Sequence, residues 1–447
     1  MTGSCCMFIP RPVNLLDFVV SIASAIDHID ARIANHHKRV AYIANQIARE
    51  LGAPQKTQYD LVIAGLLHDI GVLSLHERNH LLEFDDSSDN NRHCEASYQL
   101  LNKFRYFSDV STIIRHHHTE HHHRCGMEPP VPMESVLLFL ADRIDVLIDK
   151  DQPILEQVDR IVAAVARNSG SKFDPDQVDA FTELAWRESF WLDVMSPTLE
   201  QILVSNCRNY SVELDNDDLL DFAELLAHVI DFRCHFTATH SSGVATAASV
   251  LANLMGFSET ECQKVKVAGY LHDVGKLAIP IEILEKNAGL NSAEFRVIKS
   301  HAYYTYRILE PLQGLEEIRT WAAMHHERLD GNGYPGRCTA LTIPLGARII
   351  AAADVFTALL ETRPYRAALG KAEVRSKLAD MAHRNILDRK VVAVLLSNFD
   401  SIDAYRIHAQ HAAHREYVLF RVSIGLPIPG QQARPTKPFG LSLQPAW

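Results

Sequence analysis

The feature that most constrains this chain is that it repeats itself. His36 matches His240, Val40-Ala41 matches Val244-Ala245, and Leu67-His68-Asp69-Ile70-Gly71 matches Leu271-His272-Asp273-Val274-Gly275, all at an offset of 204. After a four-residue shortening of the first copy, His93 matches His301 and His117-His118 matches His325-His326. After another four, Ala141-Asp142 matches Ala353-Asp354. With Asp27 and Asp231 opening the copies, each spans roughly 190 residues, long enough to bury its own core.

Apolar residues recur at three and four residue steps in both copies. Val40, Ile43, Ala44 and Ile47 precede Gly52, and Val244, Ala248, Leu251 and Leu254 precede Gly256. This is the period of a helix that ends at a glycine. No long run alternates apolar with polar residues, so the expected class is all-α: two similar helical bundles arising from an internal duplication. The expected order is an N-terminal extension (1–14), a first bundle (15–205), a polar linker (206–218), a second bundle (219–405) and a C-terminal extension (406–447). The residues from about Gly425, rich in Pro, Gln and Gly, read as irregular.

Composition narrows the function. Forty-four Lys and Arg against fifty-five Asp and Glu give a formal charge of −11, which argues against a protein that coats a nucleic-acid polymer. No basic segment followed by an apolar stretch opens the chain, and no run of about 18 apolar residues occurs, so a cytoplasmic location without membrane spans is expected. The eight cysteines form no CxxC pair and read as reduced thiols. Exposed helix faces leave a homodimer open.

Twenty-four histidines are the unusual number. In the second copy the chemistry-bearing residues are His240, His272, Asp273, His301, His325, His326 and Asp354. Five imidazoles and two carboxylates nearly suffice for two octahedral ions that also bind water and substrate, and mixed N and O ligation suits Fe or Mn. Adjacent residues on a helix point about 100° apart, so His272 can serve one ion while Asp273 reaches between two. The first copy retains His36, His68, Asp69, His93, His117, His118 and Asp142, and a second metal site is expected there. A single histidine is usually a core or surface residue. Seven matched positions in two diverged copies are hard to ascribe to burial. The remaining cluster, His116 and His121 to His123, reads as solvated, as do His76, His80 and His235. A P-loop fails because Gly269 to Lys276 has five residues between its glycines and ends on Leu277, and a zincin fails because the second His is missing after His326-Glu327.

Three motifs in order then carry a resemblance: His272-Asp273-Val274-Gly275-Lys276, the run from His325-His326 to Gly333-Tyr334-Pro335, and Arg363-Pro364-Tyr365-Arg366. Residues from about Leu219 to Ser401 resemble HD-GYP domains, bacterial phosphodiesterases of cyclic dinucleotides, and the first copy resembles the broader HD phosphohydrolases. The resemblance implies two helical HD domains with a dinuclear or trinuclear Fe or Mn centre, acting on cyclic di-GMP or a related cyclic dinucleotide to give linear dinucleotide or GMP. It places His240, His272 and Asp354 on one ion, His301, His325 and His326 on the other, and Asp273 between them. Phe236 stands where three-metal members carry a Glu, which predicts two ions.

The expected catalytic residues are Asp273 and Lys276, and the expected substrate contacts are Lys276, Gly333, Tyr334, Arg363 and Arg366, with Asp330 holding the loop. The first copy has Val72 in place of Lys276 and Thr119 to Arg124 in place of the Gly-Tyr-Pro loop. It is expected to act as a second phosphohydrolase site on the linear product, or as a regulatory unit. The alternative for the whole chain is a non-catalytic receptor of the cyclic dinucleotide.

Overall fold

A computed structural model describes residues 12–28, 33–72, 92–124, 126–128, 130–233, 237–286, 288–362 and 366–427. These residues are overwhelmingly helical; the one sheet among them pairs Val13–Asn14 with Glu213–Leu214. None of the described helices is long and apolar enough to cross a membrane.

The repeat is expressed residue for residue. The helices His36–Glu50 and Gln55–Leu67 recur as His240–Leu254 and Glu259–Leu271, with both ends of each shifted by 204. Ser108–Arg115 recurs as Glu316–Ala323, and Pro175–Ala185, capped by Asp174, recurs as Arg389–Ser397, capped by Asp388. Gly52 and Gly256, past the ends of the first matched pair, have φ of +69° and +87°, which a residue without Cβ adopts freely.

The copies are joined through their first helices, Leu15–Asp27 and Asn216–Asp231. Val13 pairs with Leu214 and Asn14 with Glu213, antiparallel, bringing the two helix starts together. Phe18 and Phe222 occupy the same place in the repeat, and their rings meet edge to face with centroids 4.9 Å apart. Phe222 also faces Phe104 at 5.1 Å and Phe107 at 5.8 Å. Each first helix then lies across the other copy: Leu15–Asp27 on Ser292–Leu309 and Val274–Ala278, and Asn216–Asp231 on Arg92–Leu101.

Two expected boundaries fall inside structured elements. The polar stretch 206–218 contains the Glu213–Leu214 strand and, from Asn216, the first turn of a helix held by a capping box between Asp215 and Asp218. The limit at 405 lies within a helix running Phe399–Ser423, whose Tyr417 and Phe420 are buried, so this bundle continues through Ser423. The helix packs along His240–Leu254, which begins with a predicted ligand.

Phe222 fills the seam between the copies, so Phe222→Ala should cost about 3–5 kcal/mol of stability. Because Phe18 shares that contact, Phe18→Ala combined with Phe222→Ala should cost less than the two single losses added, as read by chemical denaturation.

Candidate metal centres

A helix ends with carbonyls that no N–H of its own can reach. Here histidines take them. His272 follows the Glu259–Leu271 helix, and its Nδ1–H donates to the Gly269 carbonyl at 2.7 Å. His325 follows Glu316–Ala323 and donates in the same way to Ala322 at 2.6 Å, while His301, inside its helix, donates to Ile298 at 2.6 Å. Spending Nδ1–H on the backbone leaves the Nε2 lone pair for the interior, which is what a metal-ligating imidazole needs.

The three Nε2 atoms converge with two carboxylates. Asp273 Oδ2 lies 3.2 Å from His272 Nε2 and Asp273 Oδ1 3.4 Å from His301 Nε2, so one carboxylate faces both groups. His301 and His325 bring their Nε2 atoms within 3.3 Å, and Asp354 lies 3.1 Å from His240 Nε2 and 4.0 Å from His326 Nδ1. Two sets, His240-His272-Asp273 and His301-His325-His326, each hold their ligand atoms within 4.8 Å of one another. His272 Nε2 is buried without a protein hydrogen bond, and the surrounding donors are imidazole nitrogen and carboxylate oxygen, a set that fits divalent metal.

Electrostatics keep two of the imidazoles and one carboxylate in their ligand forms. Burial pushes His301 down to about 4, and burial and neighbouring His301 push His326 down to about 3, so both are neutral at pH 7. Burial would raise the Asp354 carboxyl, but the His240 hydrogen bond and the nearby imidazoles hold it well below the usual carboxylate range.

What holds Gly275 to Ser292–Leu309 is a hydroxyl. Thr305 Oγ1 donates to the His272 carbonyl at 2.9 Å and accepts from the Gly275 N–H at 3.0 Å. A Cβ on Gly275 would lie 1.9 Å from the His301 carbonyl oxygen, so only glycine allows this approach. The first copy repeats the device: Ser97 Oγ donates to the His68 carbonyl at 3.0 Å and accepts from Gly71 at 3.0 Å.

The first copy also gathers its predicted ligands. His68 and His117 donate Nδ1–H to the Gly65 and Ile114 carbonyls, at 2.9 and 2.6 Å. Asp69 Oδ1 lies 3.8 Å from His93 Nε2 and 4.0 Å from His117 Nε2, and Asp142 Oδ1 lies 3.5 Å from His36 Nε2. His36, His68 and Asp69 form one ligand set, and His93, Cys94, His117 and His118 another. The spacing is looser than in the second copy, and Asp69, its side chain 14% exposed against 4% for Asp273, is the more exposed of the matched carboxylates.

Comparison with known proteins agrees with this duplicated geometry. Residues 33–147 and 224–391 each match an HD domain family. The 3'3'-cGAMP-specific phosphodiesterase 1 of Vibrio cholerae is 30% identical over 396 residues, covering 86% of this chain and 92% of its own length. The cyclic di-GMP phosphodiesterase response regulator of Xanthomonas campestris pv. campestris is 40% identical over 145 residues, 32% of this chain and 38% of that protein. The chain belongs to the tandem HD and HD-GYP phosphodiesterases. A crystal structure described as a cyclic GMP-AMP specific phosphodiesterase of V. cholerae shares the fold, with a TM-score of 0.59 at 23% identity over 87% of this chain and 98% of that one.

The expected substrate residues of the HD-GYP domain divide. Lys276 Nζ contacts Asp273 Oδ2 at 2.6 Å, and both line a cavity of about 350 Å³ that reaches from the metal ligands to Phe295 and Tyr334. The Tyr334 ring lies 4.7 Å from His326, with Lys299 Nζ 5.2 Å from its centroid. Gly333 takes its place because a Cβ there would strike Glu327 Cα at 2.6 Å. Asp330 accepts from Arg328 at 2.6 Å and from the Asn332 N–H at 2.9 Å, within its own loop. Arg366 donates to the Ala358 carbonyl and is not among the residues that line the cavity. Arg363, Phe236, His76, His80 and His235 lie outside the described residues. Of the remaining cluster, His122 and His123 are exposed at the rim.

Sequence reasoning missed the supporting residues. Glu327 is buried and accepts the Gly336 and Cys338 N–H groups at 2.5 and 2.8 Å, closing the Gly-Tyr-Pro loop. Its position directly after His325-His326 was the available signal. Glu361 accepts from His240 Nδ1 at 2.9 Å and is itself held by Gln410 Nε2 at 2.5 Å. Lys299 and Phe295, four apart on one helix, belong to the cavity and carried no motif.

Because Glu361 fixes the orientation of His240, Glu361→Ala should lower metal affinity of the HD-GYP domain about 10–100-fold, with the helical content unchanged. Competition against a fluorescent chelator measures it.

Proposed function

We propose that the HD-GYP domain hydrolyses the purine cyclic dinucleotide 3'3'-cGAMP, with cyclic di-GMP as the second substrate. The observation that carries this reading is one cavity lined together by His240, Asp273, His301, His325, His326 and Asp354, by Lys276, and by an aromatic wall. Its volume, about 350 Å³, falls at the lower end of the range for small-ligand sites. The ranking of substrates rests on coverage: the relative named for 3'3'-cGAMP spans most of both chains, whereas the Xanthomonas relative named for cyclic di-GMP matches about a third of this chain.

Two ions would be held by this donor set, one by His240, His272 and Asp354 and the other by His301, His325 and His326, with Asp273 facing both groups. Bound there, divalent metal would acidify a water and neutralise charge on the phosphoryl oxygens. The residues of the chain do the positioning. Lys276 brings an ammonium to the cavity face of Asp273, where a phosphodiester gains negative charge as it is attacked. Tyr334 and Phe295 offer flat apolar surface to a purine, and Lys299, between their rings at 5.2 and 4.7 Å, adds a cation at that edge. Glu327 keeps Tyr334 in place through the loop. Iron and manganese both suit this donor set.

Product analysis tests the reading. Protein loaded anaerobically with iron, and separately with manganese, is incubated with 3'3'-cGAMP and with cyclic di-GMP. The expected outcome is linear dinucleotide or mononucleotide, faster from 3'3'-cGAMP, and absent in the His272→Ala Asp273→Ala double variant. Fully loaded protein that binds either compound without releasing product would establish a receptor instead.

The HD domain gathers its seven matched positions but has Val72, buried, in place of Lys276. We infer that it is a second phosphohydrolase centre acting on the linear product. His68→Ala with Asp69→Ala should then make linear dinucleotide accumulate several-fold. An unchanged product ratio would overturn this assignment.

A further inference from the structure

The two copies differ at one ligand-bearing turn. Where the HD-GYP domain has His301-Ala302, the HD domain has His93-Cys94. Cys94 is buried, and its Sγ lies 3.4 Å from His93 Nε2. The rings of His117 and His118 stand 5.2 and 5.0 Å from that of His93, and the ligand atoms of all four residues lie within 4.8 Å of one another. Two further atoms point into this space: His117 Nε2 and Asp69 Oδ1 are both buried without a protein hydrogen bond. A thiol that merely filled the core would not need three imidazoles and an orphaned carboxylate oxygen around it.

We propose that Cys94 Sγ is an inner ligand of the second metal position in the HD domain, with His93, His117 and His118, making it a sulfur-containing site for Zn(II) or Fe(II). The matching position in the HD-GYP domain, with Ala302, is made of nitrogen and oxygen alone. Thiolate is a soft ligand, and its presence shifts preference away from Mn(II) toward zinc and ferrous iron. Binding releases the thiol proton, because the thiolate is the ligand form. One chain would thus hold two chemically different centres, selected by a single side chain. The inference rests on the reading that the HD domain binds metal.

Cobalt(II) is the probe, because only a thiolate ligand gives a near-ultraviolet sulfur-to-cobalt charge-transfer band. The metal-free full chain is titrated with cobalt, alongside Cys94→Ser and the His117→Ala His118→Ala double variant, with bound cobalt counted by metal analysis. The expected result is a band in the unmutated chain that Cys94→Ser abolishes, while the cobalt bound to the HD domain is retained. Cobalt bound in the HD domain without the band, or a band that persists in Cys94→Ser, would overturn the sulfur ligand and leave the metal site standing. Equal cobalt content in the unmutated chain and the double variant would overturn both. X-ray absorption of the unmutated chain with zinc filling every site it binds needs no variant: a sulfur shell at about 2.3 Å supports the proposal, and nitrogen and oxygen alone overturn it.

Discussion

The bond on which the rest of this molecule depends joins an imidazole Nδ1–H to a backbone carbonyl three residues earlier. It occurs at His68, His117, His272, His301 and His325. In three of the five, at His68, His272 and His325, it also satisfies a carbonyl that the end of a helix leaves open, so the same contact terminates the helix and fixes the tautomer. Everything else serves these rings. The Gly71 and Gly275 approaches, clamped by Ser97 and Thr305, hold the residues after His68 and His272 against the next ligand-bearing helix. A buried imidazole with its Nε2 lone pair turned inward is costly unless something accepts from that lone pair, and an ion is the partner the donor sets fit.

Much of this was legible in the sequence because it recurs. The 204 offset aligned His36 with His240 and His68-Asp69 with His272-Asp273, and the helix ends obey the same offset. What was not legible is what each copy solves differently. His36 is oriented by Asp145, whose other oxygen engages Arg39, whereas His240 is oriented by Glu361 and Gln410. The place of Arg39 is taken by Gly243, and a Cβ there would lie 2.8 Å from Gln410 Nε2. Losing the arginine side chain therefore makes room for a glutamine from the last helix. No alignment of the copies reveals such an exchange, because its partners come from different positions in each.

The same exchange explains why the expected limit at 405 was wrong. Gln410 lies beyond it, on the Phe399–Ser423 helix, and reaches both Glu361 and the Thr239 carbonyl at the start of the His240 helix. The sequence after Ser401 carries no signature and several polar residues, so it reads as an appendage. Packing decides otherwise: Tyr417 is fully buried, and its ring faces Phe232 at 5.2 Å, which fastens the helix back to the beginning of its own copy.

The duplication has a further consequence for what counts as a folding unit. Leu15–Asp27 belongs to the first copy by sequence, yet it lies on Val274–Ala278, the turn that carries Lys276. Phe18 and Phe222, equivalent residues, meet at the seam as the matching faces of a two-fold dimer would. The apolar surface that a two-fold dimer would bury between chains is here buried within one, and the linking segment contributes a strand to it. Separating the copies would uncover Phe18, Phe104, Phe107 and Phe222 together, all nearly inaccessible in the intact chain. At about 25 cal/mol per Å² of apolar surface, exposing four such rings removes several kcal/mol, comparable to the whole stability of a typical domain. The HD domain is therefore part of what keeps the HD-GYP centre folded, whatever chemistry it performs of its own.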